Sequence, residues 1–152
     1  MRAKTIGGGS ERTWALVFAT GDEVTSSLSD FAYREQLRAA RFTAIGAFRE
    51  ATLGYFDWAS KQYEKIPLRE QVEVLSLVGD VALEGDAPKI HAHVVVGKRD
   101  GTAHGGHLLE AYVRPTLEVM LIESPATLRR IFDPESQLAL IDIDPAARAG
   151  GA

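Results

Sequence analysis

A succession of short, strand-like apolar segments, with a single helical segment among them, most constrains the fold of this chain. Residues from Ser26 or Ser27 to about Ala40 place apolar side chains three and four positions apart, which predicts one helix. One helix among many consecutive strands predicts an α+β fold, in which a mostly antiparallel sheet packs against one main helix. The strand-like segments are Trp14–Ala19, Phe42–Leu53, Lys61–Ile66, Val72–Val78, Ile90–Gly97, Leu108–Val113, Leu117–Ile122 and Leu138–Ile143.

The residues that connect these segments also predict local structure. Pro67 and the stretch Asp86–Lys89 predict turns, and the second of these would make the flanking strands an antiparallel hairpin. Arg114-Pro115 is expected to interrupt a strand, and Pro125–Phe132 to form a helical turn. The strand from Val72 is apolar on both faces, so it needs a cover on each side. One helix can cover only one face, and a partner subunit could cover the other.

The chain length of 152 residues predicts one domain, here placed at residues 13–144. Residues 1–12, with the run Gly7-Gly8-Gly9-Ser10, and residues 145–152 are expected to be disordered tails. The chain has no cysteine, which excludes disulfides, thiolate metal sites and cysteine nucleophiles. It also has no apolar run of membrane-spanning length and no apolar core of a secretory signal, so we expect a cytoplasmic protein with no membrane partner.

The histidines are the most concentrated chemical feature. His91 and His93 are two positions apart on a predicted strand, so their imidazoles should project from the same face. His107 follows a glycine-rich loop that could fold it back onto that face. Imidazole is a ligand of zinc, iron, nickel and copper. Three histidines would hold a divalent metal, expected to be zinc, and leave one position open for water or substrate.

The same residues could also have a purely structural role. A histidine on a sheet is commonly a hydrogen-bonded structural residue, and His104 is expected to be exposed in the flexible loop. The His-x-His pair resembles the cupin metal motif, but Val96, Gly97 and Lys98 occupy the positions where that motif needs a glutamate. No serine lies in a nucleophile elbow, and the glycines at 101, 105 and 106 match neither a phosphate-binding loop nor a dinucleotide fingerprint.

Taken together, several motifs closely resemble the signature of the PPC (plant and prokaryote conserved) domain family, in its bacterial stand-alone form without an AT-hook. The resemblance covers about residues 12–144. The motifs are His91-x-His93, Gly97-x-x-Asp100-Gly101, Gly105-Gly106-His107-Leu108-Leu109, Val113-x-x-Thr116-x-Glu118-Val119, Glu73-Val74-Leu75-Ser76-Leu77-x-Gly79, Ile45-Gly46-Ala47 and Leu53-Gly54-Tyr55-Phe56-Asp57.

The resemblance implies a compact α+β domain that assembles as a homotrimer. It also implies that His91, His93 and His107 are metal ligands, as in prokaryotic members. In plants the domain follows an AT-hook, a basic segment that binds the DNA minor groove. No such segment is present here, where residues 1–12 carry only Arg2, Lys4 and Arg12 as cations.

Two functions follow from these observations. The leading one is a DNA-binding or regulatory protein, although a net charge of −4 argues against tight contact with DNA phosphates. The alternative is a metal-dependent protein that binds a small molecule near the histidines, or an enzyme of the hydrolase or lyase type that uses the same centre. Such an enzyme needs a general acid or base; the candidates are Glu50, Asp57, Glu110 and Glu118, with Arg114 to orient an anionic group.

Overall fold

The computed structural model describes residues 1–143 and contains one helix and nine strands within them. This architecture confirms the predicted α+β class, a single domain dominated by strands. In chain order the elements are β1 (Arg2–Gly7), β2 (Thr13–Ala19), α1 (Val24–Arg34), β3 (Ala39–Asp57), β4 (Gln62–Leu68), β5 (Val72–Glu84), β6 (Ala87–Gly97), β7 (Ala103–Glu123), β8 (Arg129–Asp133) and β9 (Leu138–Asp142).

Four strands close into a ring. β3 pairs with β5 and with β7, and β6 pairs with the same two strands, all antiparallel. The two long strands, β3 with 19 residues and β7 with 21, bend at register shifts such as the one between Ala44 and Gly46. The bends allow β7 to pair with β6 near its start and with β3 further along. β5 and β8 form the one parallel pair among the named strands.

The core lies inside this ring and under α1. Along β6 the side chains of Val94 and Val96 are buried, whereas those of His93 and Val95 are exposed. This alternation places Val94 and Val96 inside, and His93 and Val95 on the outer surface. The outer surface of β5 is not covered in the single chain, because Leu75 and Val78 are exposed there.

The helix is shorter than the sequence predicts and begins earlier. The carboxylate of Glu23 caps it by accepting the backbone N–H groups of Thr25 and Ser26, so the helix begins at Val24 rather than after Ser26. It ends at Arg34, and Gln36 follows with a left-handed φ of 56°. Residues 39 and 40 therefore belong to β3 and not to the helix.

The prediction of a disordered tail over residues 1–12 is wrong for Arg2–Gly7, which forms β1 on the edge of β2. The backbone hydrogen bonds of this pairing offset the entropy cost of ordering the segment. The N-terminal ammonium also forms an ion pair with Asp22 at 2.6 Å. The other predicted tail, residues 145–152, lies outside the described residues.

Four smaller predictions about connections are also wrong. β7 continues through Arg114-Pro115, which is a cis peptide bond, instead of breaking there. Residues 129–132 belong to strand β8 rather than to a helical turn, because they pair with β9 and at two positions with β5. Pro67 lies within β4 and Pro88 within β6, so the hairpin turn is confined to Gly85 and Asp86.

Within residues 1–143, no helix is long and apolar enough to span a membrane.

Candidate metal centre

Strand pairing brings the three predicted histidine ligands together. His93 on β6 lies directly opposite His107 on β7, and His91 is two residues along on the same face of β6. The predicted flexible loop before His107 is only a short turn, since Ala103–Gly106 already pairs with β6. His104 is therefore in a strand and partly buried, and the prediction that it lies exposed in a loop is wrong.

The three rings form a nearly regular triangle. Their centroids are separated by 5.1 Å (His91–His93), 5.2 Å (His91–His107) and 5.3 Å (His93–His107). The Nε2 atoms of His91 and His93 are 3.2 Å apart, and one nitrogen from each ring lies within 4.8 Å of the others. Three nitrogens on a tetrahedral zinc are separated by roughly 3.3 Å, given zinc–nitrogen bonds of about 2.0–2.1 Å. The separation of 3.2 Å between His91 and His93, with the third nitrogen within 4.8 Å of both, is compatible with that spacing.

The environment favours the neutral form of His93 and His107, and the neutral imidazole is the form that binds a metal. Burial, the neighbouring charges of His91 and His93, and the charge of Arg130 lower the pKa of His107 to about 4. The pKa of His93 is also lowered, first by burial and then by His91. Both pKa values are lowered because burial and neighbouring positive charges disfavour the protonated imidazole.

His107 is held by an aromatic neighbour. The ring of Tyr63 on β4 stacks on His107 with centroids 4.7 Å apart and an angle of 29°. Gly54 makes room for Tyr63, because a Cβ at position 54 would lie 2.8 Å from the Tyr63 ring. Within the described residues, the buried Nδ1 of His107 has no hydrogen-bond partner. A buried polar atom of this kind is costly unless something binds it, so the donor set is consistent with a cation or ligand at this position.

Two charged residues that sequence reasoning did not select lie behind His91. Asp80 on β5 is opposite His91 in the strand register, with its Oδ2 3.5 Å from His91 Nδ1. Arg130 on β8 donates a short hydrogen bond from Nη2 to the other carboxylate oxygen of Asp80. Partial burial alone would raise the pKa of Asp80, but the polar contact with His91 and the charge of Arg130 outweigh it and hold that pKa below its usual range.

The four carboxylates proposed from sequence as general acids or bases lie away from the histidines, and three of them are engaged with other groups. Glu50 pairs with Arg49, Asp57 accepts the backbone N–H of Ser60, and Glu110 accepts the hydroxyl of Tyr112. Glu118 lies opposite Ile45 on the far half of β7. Neither these four residues nor Arg114 lines the cavity beside the histidines.

That cavity has a volume of about 380 Å³ and opens next to His91 and His107. The hairpin of β8 and β9 forms one wall through Arg130, Leu138 and Leu140. Its size suits a small molecule, and its position would give such a molecule access to the histidines. Its remaining lining residues are Tyr63, Glu84, Lys89, Ile90, Gln137 and Ala139.

Residues 6–125 match the Plants and Prokaryotes Conserved (PCC) domain, which is most of the chain. The chain belongs to this family. The match confirms the resemblance to the PPC family, since the two names describe the same conserved domain. All three histidines of the centre lie inside the matched residues of the PCC domain.

Solved structures of PCC relatives share the fold. A plant- and prokaryote-conserved protein of Pyrococcus horikoshii is 32% identical, with a TM-score of 0.81, 86% of this chain and 91% of that chain covered. A metal-containing protein of Archaeoglobus fulgidus is 34% identical, with a TM-score of 0.80 and coverage of 93% and 99%. A protein of Ralstonia eutropha JMP134 described as a candidate DNA-binding protein is 33% identical, with a TM-score of 0.80 and coverage of 86% and 90%.

One curated relative is much longer than this PCC domain. Over 125 residues the chain is 30% identical to the bifunctional protein GlmU of Synechococcus sp. (strain JA-3-3Ab), with 81% of this chain aligned. The alignment spans 19% of that protein, so the PCC domain corresponds to about a fifth of its length.

Proposed function

We propose that this PCC-domain protein holds a divalent metal ion, zinc by preference, on His91, His93 and His107, and binds a small molecule in the cavity beside it. The observation that carries the proposal is the triangle of imidazoles, with two Nε2 atoms 3.2 Å apart on the outer surface of the sheet. Three neutral histidines are the donor set of zinc sites with an open position. The metal-containing relative from Archaeoglobus fulgidus supports the presence of a bound metal.

The surroundings suit a reactive centre more than a purely structural one. His93 is exposed, and the cavity borders His91 and His107, so a small molecule can approach the centre. A zinc ion with an open position lowers the pKa of a bound water to about 7, which is the chemistry that hydrolases and many lyases use. Tyr63 holds the His107 ring from its face, and Lys89, Glu84 and Arg130 place further ionisable groups at the cavity wall.

The metal content of the native chain tests this proposal. Protein purified without a metal-affinity tag and then exposed to zinc should retain about one ion per chain, as expected for a single three-histidine site. A chain that retains none would oppose it.

DNA binding is a second candidate, supported by the description of the Ralstonia eutropha relative. The charge distribution limits it, because the net charge is −4 and several cations are already paired with carboxylates. Arg12 pairs with Glu123, Lys98 with Glu70 and Arg130 with Asp80. Cations in such pairs contribute little to the neutralisation of phosphates, which dominates affinity for DNA.

We therefore expect a gel shift with generic duplex DNA only at low salt, and its disappearance by about 200 mM salt, since weak non-specific binding is purely electrostatic. Arg38 and Arg41 are exposed cations close together in the sequence, so reversing both to glutamate should weaken this binding. A shift that persists at 200 mM salt and depends on DNA sequence would instead make DNA the functional partner.

We also propose that the protein assembles as a homotrimer through the outer apolar patch, defined as Ile45, Leu75, Val78, Val95 and Met120. These side chains are 43–62% exposed in the single chain. Cross-strand pairs make the patch continuous, since Thr43 lies between Met120 and Val78. A contiguous apolar surface of this kind is typical of an interface between proteins. A second copy of the chain is the occupant that the family resemblance favours.

The outer apolar patch adjoins the histidine centre. Val78 on β5 lies directly opposite His93 on β6, and Val95 follows two residues after His93 on the same face. A neighbouring copy that covers the patch would therefore lie beside the centre and limit its access to water. Assembly and ligand binding would then involve neighbouring parts of one surface.

A further inference from the structure

We infer that Asp80 and Arg130 are positioning residues of the histidine centre, which act by fixing the orientation and tautomer of His91. The inference rests on the proposed metal function and assigns roles to two residues outside the ligand set. Its basis is the contact of Asp80 with His91 on one side and with Arg130 on the other.

The first link is between strands β5 and β6. Asp80 faces His91 across the hairpin, and its Oδ2 is 3.5 Å from His91 Nδ1. A carboxylate accepts hydrogen bonds only, so the proton of the neutral ring belongs on Nδ1. The lone pair is then on Nε2, the atom that lies 3.2 Å from Nε2 of His93. Asp80 therefore leaves free the nitrogen that faces the centre.

The separation of 3.5 Å is longer than the usual N–H···O distance of about 2.9–3.0 Å. In this structure the contact is mainly electrostatic. A cation on Nε2 makes the Nδ1–H group more acidic and a better donor, so we expect the distance to shorten when a metal binds. Metal ligation and the contact with Asp80 should thus strengthen each other.

The second link joins this pair to the C-terminal hairpin. Arg130 has a side chain only 7% exposed, and its guanidinium donates from Nη2 to Asp80 and from Nη1 to the carbonyl of Ala139 at 3.3 Å. Residues 129 and 130 of β8 pair in parallel with residues 83 and 84 of β5. The backbone of Arg130 is therefore held by β5, and its guanidinium by Asp80 and Ala139. In this position Arg130 keeps the carboxylate of Asp80 turned towards His91.

A simple ion pair that only stabilises the hairpin would make the same contacts. The two roles differ in what happens at His91, because only the positioning role makes its tautomer and its metal affinity depend on Asp80. Carboxylates behind metal-binding histidines typically contribute about 10- to 100-fold to metal affinity. Matched controls are Glu73→Gln, on the same strand but exposed and outside the cavity lining, and Arg129→Ala, adjacent to Arg130 and exposed.

The decisive experiment measures the tautomer of His91 in metal-free, ¹⁵N-labelled protein by long-range ¹H–¹⁵N correlation at a pH where the ring is neutral. We expect Nδ1–H in the native chain, a loss of that preference in Asp80→Ala, and partial retention in Asp80→Asn, whose amide oxygen can still accept a hydrogen bond from Nδ1–H. His91 as Nε2–H in the native chain would overturn the inference, and this observation needs no variant to fold.

Competition for zinc against a chromophoric chelator gives the second readout, together with the absorption spectrum of the cobalt-loaded protein. We expect Asp80→Ala and Arg130→Met to bind zinc about 10- to 100-fold more weakly. Arg130→Lys should recover part of that affinity, and both controls should match the native chain. Native affinity and an unchanged cobalt spectrum in Asp80→Ala would overturn the positioning role. If the native chain binds no zinc while its His91 tautomer still depends on Asp80, the metal function fails and the local arrangement stands.

Discussion

Zinc at about 100 times its dissociation constant should stabilise the native chain by about 2.7 kcal/mol, through binding to the folded state alone. For a chain of this size that corresponds to a rise in melting temperature of roughly 5–10 °C. The same zinc concentration should leave the melting temperature of His93→Ala unchanged, because the loss of His93 leaves only two of the three ligands. Differential scanning calorimetry with and without zinc measures both.

His104→Ala is the matched control for this experiment. His104 is on β7 with His107 but is not part of the ligand cluster, so its loss should preserve the full zinc response. The control also corrects for zinc bound by histidines in the unfolded chain, which lowers the apparent stabilisation. An equal rise in the native chain and in His93→Ala would place the zinc somewhere other than the histidine centre.

Introducing charge into the outer apolar patch should convert a trimer into monomers. In Leu75→Glu/Met120→Glu, two glutamates replace side chains that are 55% and 50% exposed in the single chain, so the fold should tolerate them. In a trimer the same carboxylates would be buried without partners, which is strongly unfavourable. Analytical ultracentrifugation should give about three times the chain mass of 16.5 kDa for the native protein and one chain mass for the variant.

Tyr33→Glu is the control for the outer apolar patch. Tyr33 is 71% exposed on α1, an element that contributes no residue to the patch, and its replacement should leave the trimer intact. A native protein that sediments as a monomer would remove the proposed interface. Dissociation by Tyr33→Glu as well would show that the interface involves the helix instead.

The histidine centre was predictable because its geometry depends on local rules. Two-residue periodicity puts His91 and His93 on one face, and a short turn returns the chain to place His107 opposite His93. The register of the β5–β6 hairpin was also within reach. A two-residue turn at Gly85-Asp86, where Gly85 has a φ of 62°, is sufficient to place Asp80 opposite His91. The predicted turn at Asp86–Lys89 gives a different register, so it does not identify Asp80 as the residue opposite His91.

Other features depend on contacts between distant segments, which local patterns do not encode. Arg130 reaches Asp80 because β8 pairs in parallel with the end of β5. In this pairing Arg130 lies opposite Glu84, which is 46 residues earlier in the sequence. Glycines at positions 7–9 indicate disorder when considered alone, yet the free edge of β2 orders the residues before them. The helix ends early because Ala39 and Ala40 belong to β3, where both pair with β5 and Ala40 also pairs with Glu123 of β7.

Elemental analysis of the native chain beside the variant with His91, His93 and His107 all replaced by alanine tests the central claim most directly. Both proteins should be purified without a metal-affinity tag, incubated with zinc and dialysed, and circular dichroism should confirm that both are folded. The account predicts about one zinc per native chain and essentially none in the variant, because the three imidazoles are the proposed ligands. No zinc in either protein, or equal zinc in both, would contradict it.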